Sequence, residues 1–184
     1  MTRPRLIVIN GPPASGKTTL AHELARAIRC PAVCRDELRE GVMNTRGGVA
    51  MPGDDVARQV YETYFEIIGL LVSRDITLVA EAAFQYPLWV HGLEPIQAGV
   101  DMRIVQCRVP LDLLLERAAG RLRQDPGRGR FHPDGAFLAS LERGEVAIRD
   151  WDLGPLGAPM LTVDTSDGYR PSLGEIAAFA QGSG

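Results

Sequence analysis

One stretch, residues 7–20 with the sequence IVINGPPASGKTTL, limits the fold more than any other. A β-branched apolar run stops at a loop of small residues, and an apolar repeat at helical spacing begins at once, with Leu20, Leu24, Ala27 and Ile28. Strand, tight glycine turn and helix in immediate succession are the first half of a βαβ unit. Gly11, Pro12, Pro13, Ala14, Ser15, Gly16, Lys17 and Thr18 match G-x-x-x-x-G-K-[ST]. Glycines let successive backbone N–H groups turn toward one anion, and the helix that follows adds its positive end. Lys17 reaches the outer phosphates as a point charge, Thr18 offers a hydroxyl to Mg²⁺, and Thr19 lies beside them. Lys17 is the only lysine in a chain that otherwise uses arginine.

The same alternation runs to the end of the chain. Strands are predicted over residues 6–9, 31–34, 76–80 with Glu81 at the tip, 102–109 and 160–163. Helices are predicted over 18–28, 36–43, 55–73, 88–98 with a break at Pro95, 111–123, 136–149 and 172–181. Residues 44–53, 124–135 and 151–159 read as loops rich in glycine and proline. Short buried strands separated by helices imply an α/β domain, a five-stranded parallel sheet with helices on both faces. In such sheets ligands sit beyond the carboxyl ends of the strands. Function is therefore expected near Asn10, Arg35, Glu81, Arg108 and Asp164.

The 184 residues suit one domain. A net charge of −3 opposes a dedicated nucleic-acid binder, whose affinity comes largely from Lys and Arg. No apolar run approaches a membrane span and no signal-peptide pattern stands at the N-terminus, so a cytoplasmic location and no membrane partner are expected. Cys30, Cys34 and Cys107 read as reduced thiols. No second Cys/His pair has zinc-ligand spacing, and His22 and His91 read as incidental.

A nucleotide site can serve a GTPase, a kinase or a binding module. A guanine-reading N-K-x-D is absent, because Lys17 has no companion. A kinase needs a second site, where a base meets an acceptor hydroxyl and cations meet the transferring group. Arg35-Asp36-Glu37-Leu38-Arg39 follows the second strand, and its spacing puts Asp36 and Arg39 on one face of a helical turn. Asp36 can act as base or cap that helix, and Arg39 can hold an anionic acceptor or stay in solvent. Glu81 stands where a carboxylate would hold Mg²⁺, directly or through water, or contact the acceptor. Phe84 can line the acceptor pocket or pack in the core. Arg117 and Arg121 share a helix face, and Arg123, Arg128 and Arg130 extend the basic run toward His132.

With the glycine loop, the R-D-x-x-R stretch, the acidic residue after the third strand and the arginine-rich segment, the sequence resembles the P-loop kinases of the polynucleotide kinase and chloramphenicol phosphotransferase-like group, an AAA-type ATP-binding family. The resemblance spans nearly the whole chain. It implies a P-loop NTPase three-layer sandwich with a small arginine-rich lid over residues 120–135. It implies ATP and Mg²⁺ as cofactors and transfer of phosphate to a hydroxyl. Asp36 would be the general base, with Lys17 and Arg121 on the transferring group. Arg39, Glu81 and Phe84 would meet the acceptor, and Thr18 and Glu81 the metal. Arg117 would stack on adenine or meet phosphate, with Asp164 and Thr165 along the base edge. The expected enzyme phosphorylates a small molecule as a monomer or weak homodimer. A polynucleotide 5′-hydroxyl kinase and a non-catalytic ATP-binding regulatory module are the alternatives.

Overall fold

The structure is a computed structural model that describes residues 3–48, 55–125, 134–145, 147–153 and 156–182. Strands β1 (Arg5–Asn10), β2 (Ala32–Cys34), β3 (Leu78–Glu81), β4 (Asp101–Arg108) and β5 (Met160–Asp164) form one sheet in the order β2-β3-β1-β4-β5, every pair parallel. Helices α1 (Lys17–Ile28), α2 (Arg35–Thr45), α3 (Val56–Ser73), α4 (Tyr86–Gln97), α5 (Leu111–Gln124), α6 (Asp134–Glu142) and α7 (Leu173–Gln181) connect and cover it.

The central strands read as unbroken apolar runs because both faces are buried. In β1, Leu6 and Val8 point to one face and Ile7 and Ile9 to the other, all fully buried. The first face packs on Tyr64 and Ile68 of α3 and Trp89 and Leu93 of α4. The second packs on Leu20 and Leu24 of α1 and Ile176 and Ala180 of α7. Each fully buried Leu or Ile contributes about 2 kcal/mol. The expected α/β three-layer sandwich is the fold observed. A smaller cluster of Ala14, Val109, Leu114 and Ala118, with Phe137 and Leu141 against it, holds α5 and α6 onto the glycine loop.

Of the differences from expectation, four have local reasons. The second helix extends to Thr45, whose hydroxyl donates to the Gly41 carbonyl. The third strand starts at Leu78, not Ile76. Asp75 adopts φ +59° and the Ile76 N–H bonds the Leu71 carbonyl, so Ile76 still terminates α3. Pro95 does not break α4. The carbonyl it leaves unpaired belongs to exposed His91, where water can bond it, and the helix ends two residues later. The helix predicted over 136–149 stops at Glu142. Gly144 turns left-handed at φ +69° and the Glu145 N–H bonds the Ser140 carbonyl. A 3-10 turn, Ile148–Trp151, replaces its second half. Half of the lid and part of the 44–53 loop, with Arg128, Arg130 and His132, lie outside the described residues. Among the described residues no helix is long and apolar enough to cross a membrane.

Candidate active site

The loop between β1 and α1 is set by one close approach and two left-handed residues. A Cβ on Gly11 (φ +152°) would lie 2.8 Å from the Cys107 carbonyl oxygen. Gly16 sits at φ +83° as the residue before α1, and Ala14 is left-handed as well, at φ +66°. Left-handed residues alternating along a turn aim neighbouring N–H groups inward. No side chain caps α1 and no acidic residue occupies its first turn, so the helix's free N–H groups remain available to an anion. The Thr165 hydroxyl lies 2.6 Å from the Ser15 carbonyl oxygen and 3.1 Å from that of Arg108. Its one proton serves the shorter contact, which ties the loop to the end of β5. Ser15 Oγ is buried, with no hydrogen-bond partner among the described residues.

Lys17 folds along its own loop, donating to the Pro12 carbonyl at 3.0 Å. Its Nζ stands 3.7 Å from Glu81 Oε1, and the Thr18 hydroxyl donates to Glu81 Oε2 at 3.1 Å. Glu81 is 2 % exposed. Burial pushes its carboxyl above the ordinary carboxylate value, Lys17 opposes this, and Asp36 adds to it. Glu81 therefore serves as the counter-charge of a buried lysine. Thr18 and Glu81 together form an all-oxygen donor set suited to a hard cation such as Mg²⁺.

The residues expected on the acceptor side follow the end of β2. Cys34, not Asp36, holds the cap position of α2, so Asp36 sits within the first turn. Arg35 Nη1 lies 3.2 Å from Asp36 Oδ1, which leaves the half-exposed carboxylate beside a fixed cation. Asp36 lines a cleft of about 370 Å³ together with Pro13, Gly16, Lys17 and Thr18 of the loop and Arg121 of α5. Glu37, Glu40 and Asp125 share that lining. Arg39 is half-buried and outside the lining. Burial and then Arg35 hold its pKa below the ordinary value, against the support of Asp36. Phe84, 5 % exposed, belongs to an aromatic core with Tyr61, Tyr64, Phe65 and Trp89. The Arg35 guanidinium lies 5.6 Å from its ring centroid, over the face. The structure thus brings Asp36, Lys17, Thr18 and Arg121 to one cleft, while Arg39 and Phe84 are not among its lining residues.

A second, larger cavity of about 750 Å³ opens on the other side of the loop, lined by Ala14, Gly16, Thr19, Arg117, Arg121 and Thr165, among others. Arg117 donates through Nη2 to the carbonyls of Thr165 at 2.9 Å and Ser166 at 2.8 Å. These bonds hold Arg117 against the segment after β5, while Arg121 lines both cavities. Asp164 accepts from the Ser166 N–H at 2.8 Å. Contacts from Ser166 hold its carboxyl below the ordinary value.

Sequence reasoning missed the scaffold beneath the loop. Asn10 and Gln106, neighbours in register on β1 and β4, both donate to the Trp151 carbonyl, at 2.7 and 3.2 Å. Trp89 donates to Asn10 Oδ1 at 3.1 Å, and Trp151 to the Ala83 carbonyl at 3.0 Å. The signal was present: Asn10 and Gln106 are polar residues inside apolar strands, and a buried amide needs partners.

A family profile described as AAA domain matches residues 6–143. No curated protein matches the chain. Among solved structures, a candidate kinase from Chloroflexus aurantiacus superposes with a TM-score of 0.82 at 24% identity, over 98% of both chains. A sugar kinase from Janibacter superposes at 0.63 and 17% identity, over 98% of this chain and 95% of that one. A chain of an RNA repair complex superposes at 0.59 and 18% identity, over 80% of this chain and 48% of its own. At these identities the likeness is one of fold, the P-loop NTPase type.

Proposed function

The chain belongs to the AAA-domain family, and from that premise we propose that it is a P-loop kinase transferring the γ-phosphate of ATP to a hydroxyl of a small-molecule acceptor. The observation that carries this reading is the shared cleft. Asp36 faces the space bounded by Lys17 and Thr18, so a base and a phosphate cradle address one volume. A plain nucleotide-binding module has no need of that pairing.

In this mechanism the N–H groups of the glycine loop and Lys17 hold the β- and γ-phosphates. Lys17 exchanges its contacts with Pro12 and Glu81 for phosphate oxygens. Asp36 orients the acceptor hydroxyl and takes its proton as the new O–P bond forms. The bond from the γ-phosphorus to the bridging oxygen breaks, and ADP leaves. Arg121, which borders both cavities, neutralises charge that spreads over the transferring oxygens. Thr18 and Glu81 would hold Mg²⁺, which when bound neutralises phosphate charge. Arg117 and the 164–166 segment bound the cavity that would take the base.

The carboxylates of Glu37, Glu40 and Asp125 in the cleft favour a small acceptor over a polyanionic strand. The D-x-x-R turn keeps the polynucleotide kinase and chloramphenicol phosphotransferase-like group as the nearest family reading. The test is phosphate transfer from labelled ATP with Mg²⁺ to a panel of sugars, nucleosides and aminoglycosides, and to a 5′-hydroxyl oligonucleotide. Asp36→Asn should lower turnover on a true acceptor about a hundredfold, with ATP affinity unchanged. Labelled oligonucleotide alone would replace the small acceptor with a 5′ end. Unchanged turnover in the variant would remove Asp36 as base. Tight ATP binding with no transfer to any acceptor would leave a binding module.

A further inference from the structure

His22, Cys34 and Glu37 are far apart in function as the sequence presents them, yet the fold brings them to one corner. His22 lies on α1, Cys34 ends β2, and Glu37 is in the first turn of α2. Their donor atoms all lie within 4.8 Å of one another. His22 Nε2 stands 2.6 Å from Glu37 Oε1, and Cys34 Sγ stands 3.7 Å from His22 Nε2.

We propose that these three side chains form a binding site for a thiophilic divalent cation of the Zn²⁺ class. The geometry is close to what such an ion takes. Tetrahedral Zn²⁺ with one sulfur and one nitrogen ligand holds its donors about 3.3–3.7 Å apart. The sulfur–nitrogen distance already meets this, and the shorter nitrogen–oxygen contact is a hydrogen bond that opens when both atoms turn to the metal. Both of those side chains are half-exposed, at 44% and 48%, so they can turn and an ion can enter. Cys34 is 2 % exposed and backed by apolar residues of α1 and β3, which fixes the thiol as the inner ligand. Burial first, and then the negative charges of Glu81, Glu37 and Asp36, push that thiol above its ordinary value. This field disfavours a bare thiolate and favours a cation beside it. Three protein ligands leave the fourth position to water.

The donor set separates this site from the one proposed for Mg²⁺. Thr18 and Glu81 offer only oxygen, whereas nitrogen and sulfur select Zn²⁺, Co²⁺ or Cd²⁺. Occupancy would join the first turn of α2, which carries Asp36, to α1. Binding converts a thiol to a thiolate and so releases a proton.

The test uses the full chain with a phosphine reductant and excess Mg²⁺, which fills hard-oxygen sites. Co²⁺ alone is the probe. A thiolate-to-cobalt charge-transfer band should appear on titration and be displaced by Zn²⁺. Cys34→Ser should abolish the band. His22→Gln, a change at an exposed position, should weaken Zn²⁺ binding at least about tenfold while its denaturant midpoint without metal matches wild type. An absent band, a band that survives in Cys34→Ser, or unchanged Zn²⁺ affinity in His22→Gln overturns the proposal. The readout is metal binding, so it stands apart from whether the protein transfers phosphate.

Discussion

The two walls of the cleft are built differently. The glycine-loop wall is backbone, held from several directions. Gly11 meets Cys107, Thr165 bonds Ser15, and Asn10 below the loop bonds Trp89 and Trp151. The α2 wall is side chain, with Asp36 half-exposed on one helical turn and steadied by a neighbouring arginine. A triphosphate is one fixed shape, so its cradle can be rigid and over-determined. An acceptor pocket made of side chains on a short helix can change its ligand without changing the fold.

Substitutions on the two walls should separate accordingly. The largest loss is expected for Lys17→Met, which should lower phosphate transfer by about a thousandfold and weaken ATP binding. Asp36→Asn should spare that binding, so a shared loss of nucleotide affinity would break the distinction between the walls. Gly11→Ala comes next. Its Cβ would meet a backbone carbonyl at 2.8 Å, which a rotamer change cannot relieve. A loss of about 2 kcal/mol in denaturant stability is expected, and a stable variant would show the loop to be looser than its contacts imply. Thr165→Val should cost about 1 kcal/mol and a several-fold loss of ATP affinity in calorimetry, because the Ser15 carbonyl loses its donor.

Glu81, buried against Lys17 and Thr18, sharpens the comparison. Burial raises its pKa above the ordinary 4.5. The folded protein therefore holds that proton more tightly than the unfolded chain does. Stability from this group is fully present below the ordinary value and declines as pH rises toward the folded value. Glu81→Gln removes the decline. Unfolding titrations across the acid-to-neutral range should show the variant gaining on wild type as pH rises. A constant difference would mean that Lys17 already cancels the burial of Glu81.

How far the site could be read in advance follows the same division. The glycine loop was legible because it is a contiguous string: turn glycines, one lysine and one hydroxyl at fixed spacing, between a strand and a helix. Asp36 and Glu81 were legible as the residues at the ends of β2 and β3, through the strand-end rule. Arg39 and Phe84 share that neighbourhood in sequence, yet packing draws Phe84 into the aromatic core and Arg39 is not among the residues that line the cleft. The Asn10, Gln106 and Trp151 network joins residues far apart along the chain; the polar residues in apolar strands signal a need for partners, but no local pattern says which partners they find. His22, which the sequence offers no reason to notice, meets Cys34 and Glu37 only because α1 passes the end of β2.

By itself the sequence determined the alternation of strands and helices, the parallel sheet and the glycine loop between β1 and α1. Each of these depends on periodicity or on neighbours within a few residues. The tertiary structure alone decided which side chains share a volume. Strand order puts β3 between β1 and β2. That places Glu81 under Lys17 and Thr18 and sets Asp36 across the cleft from both. Burial and charge at that meeting point are properties of the packed whole, because the low dielectric that shifts Glu81 exists only once the layers close around it.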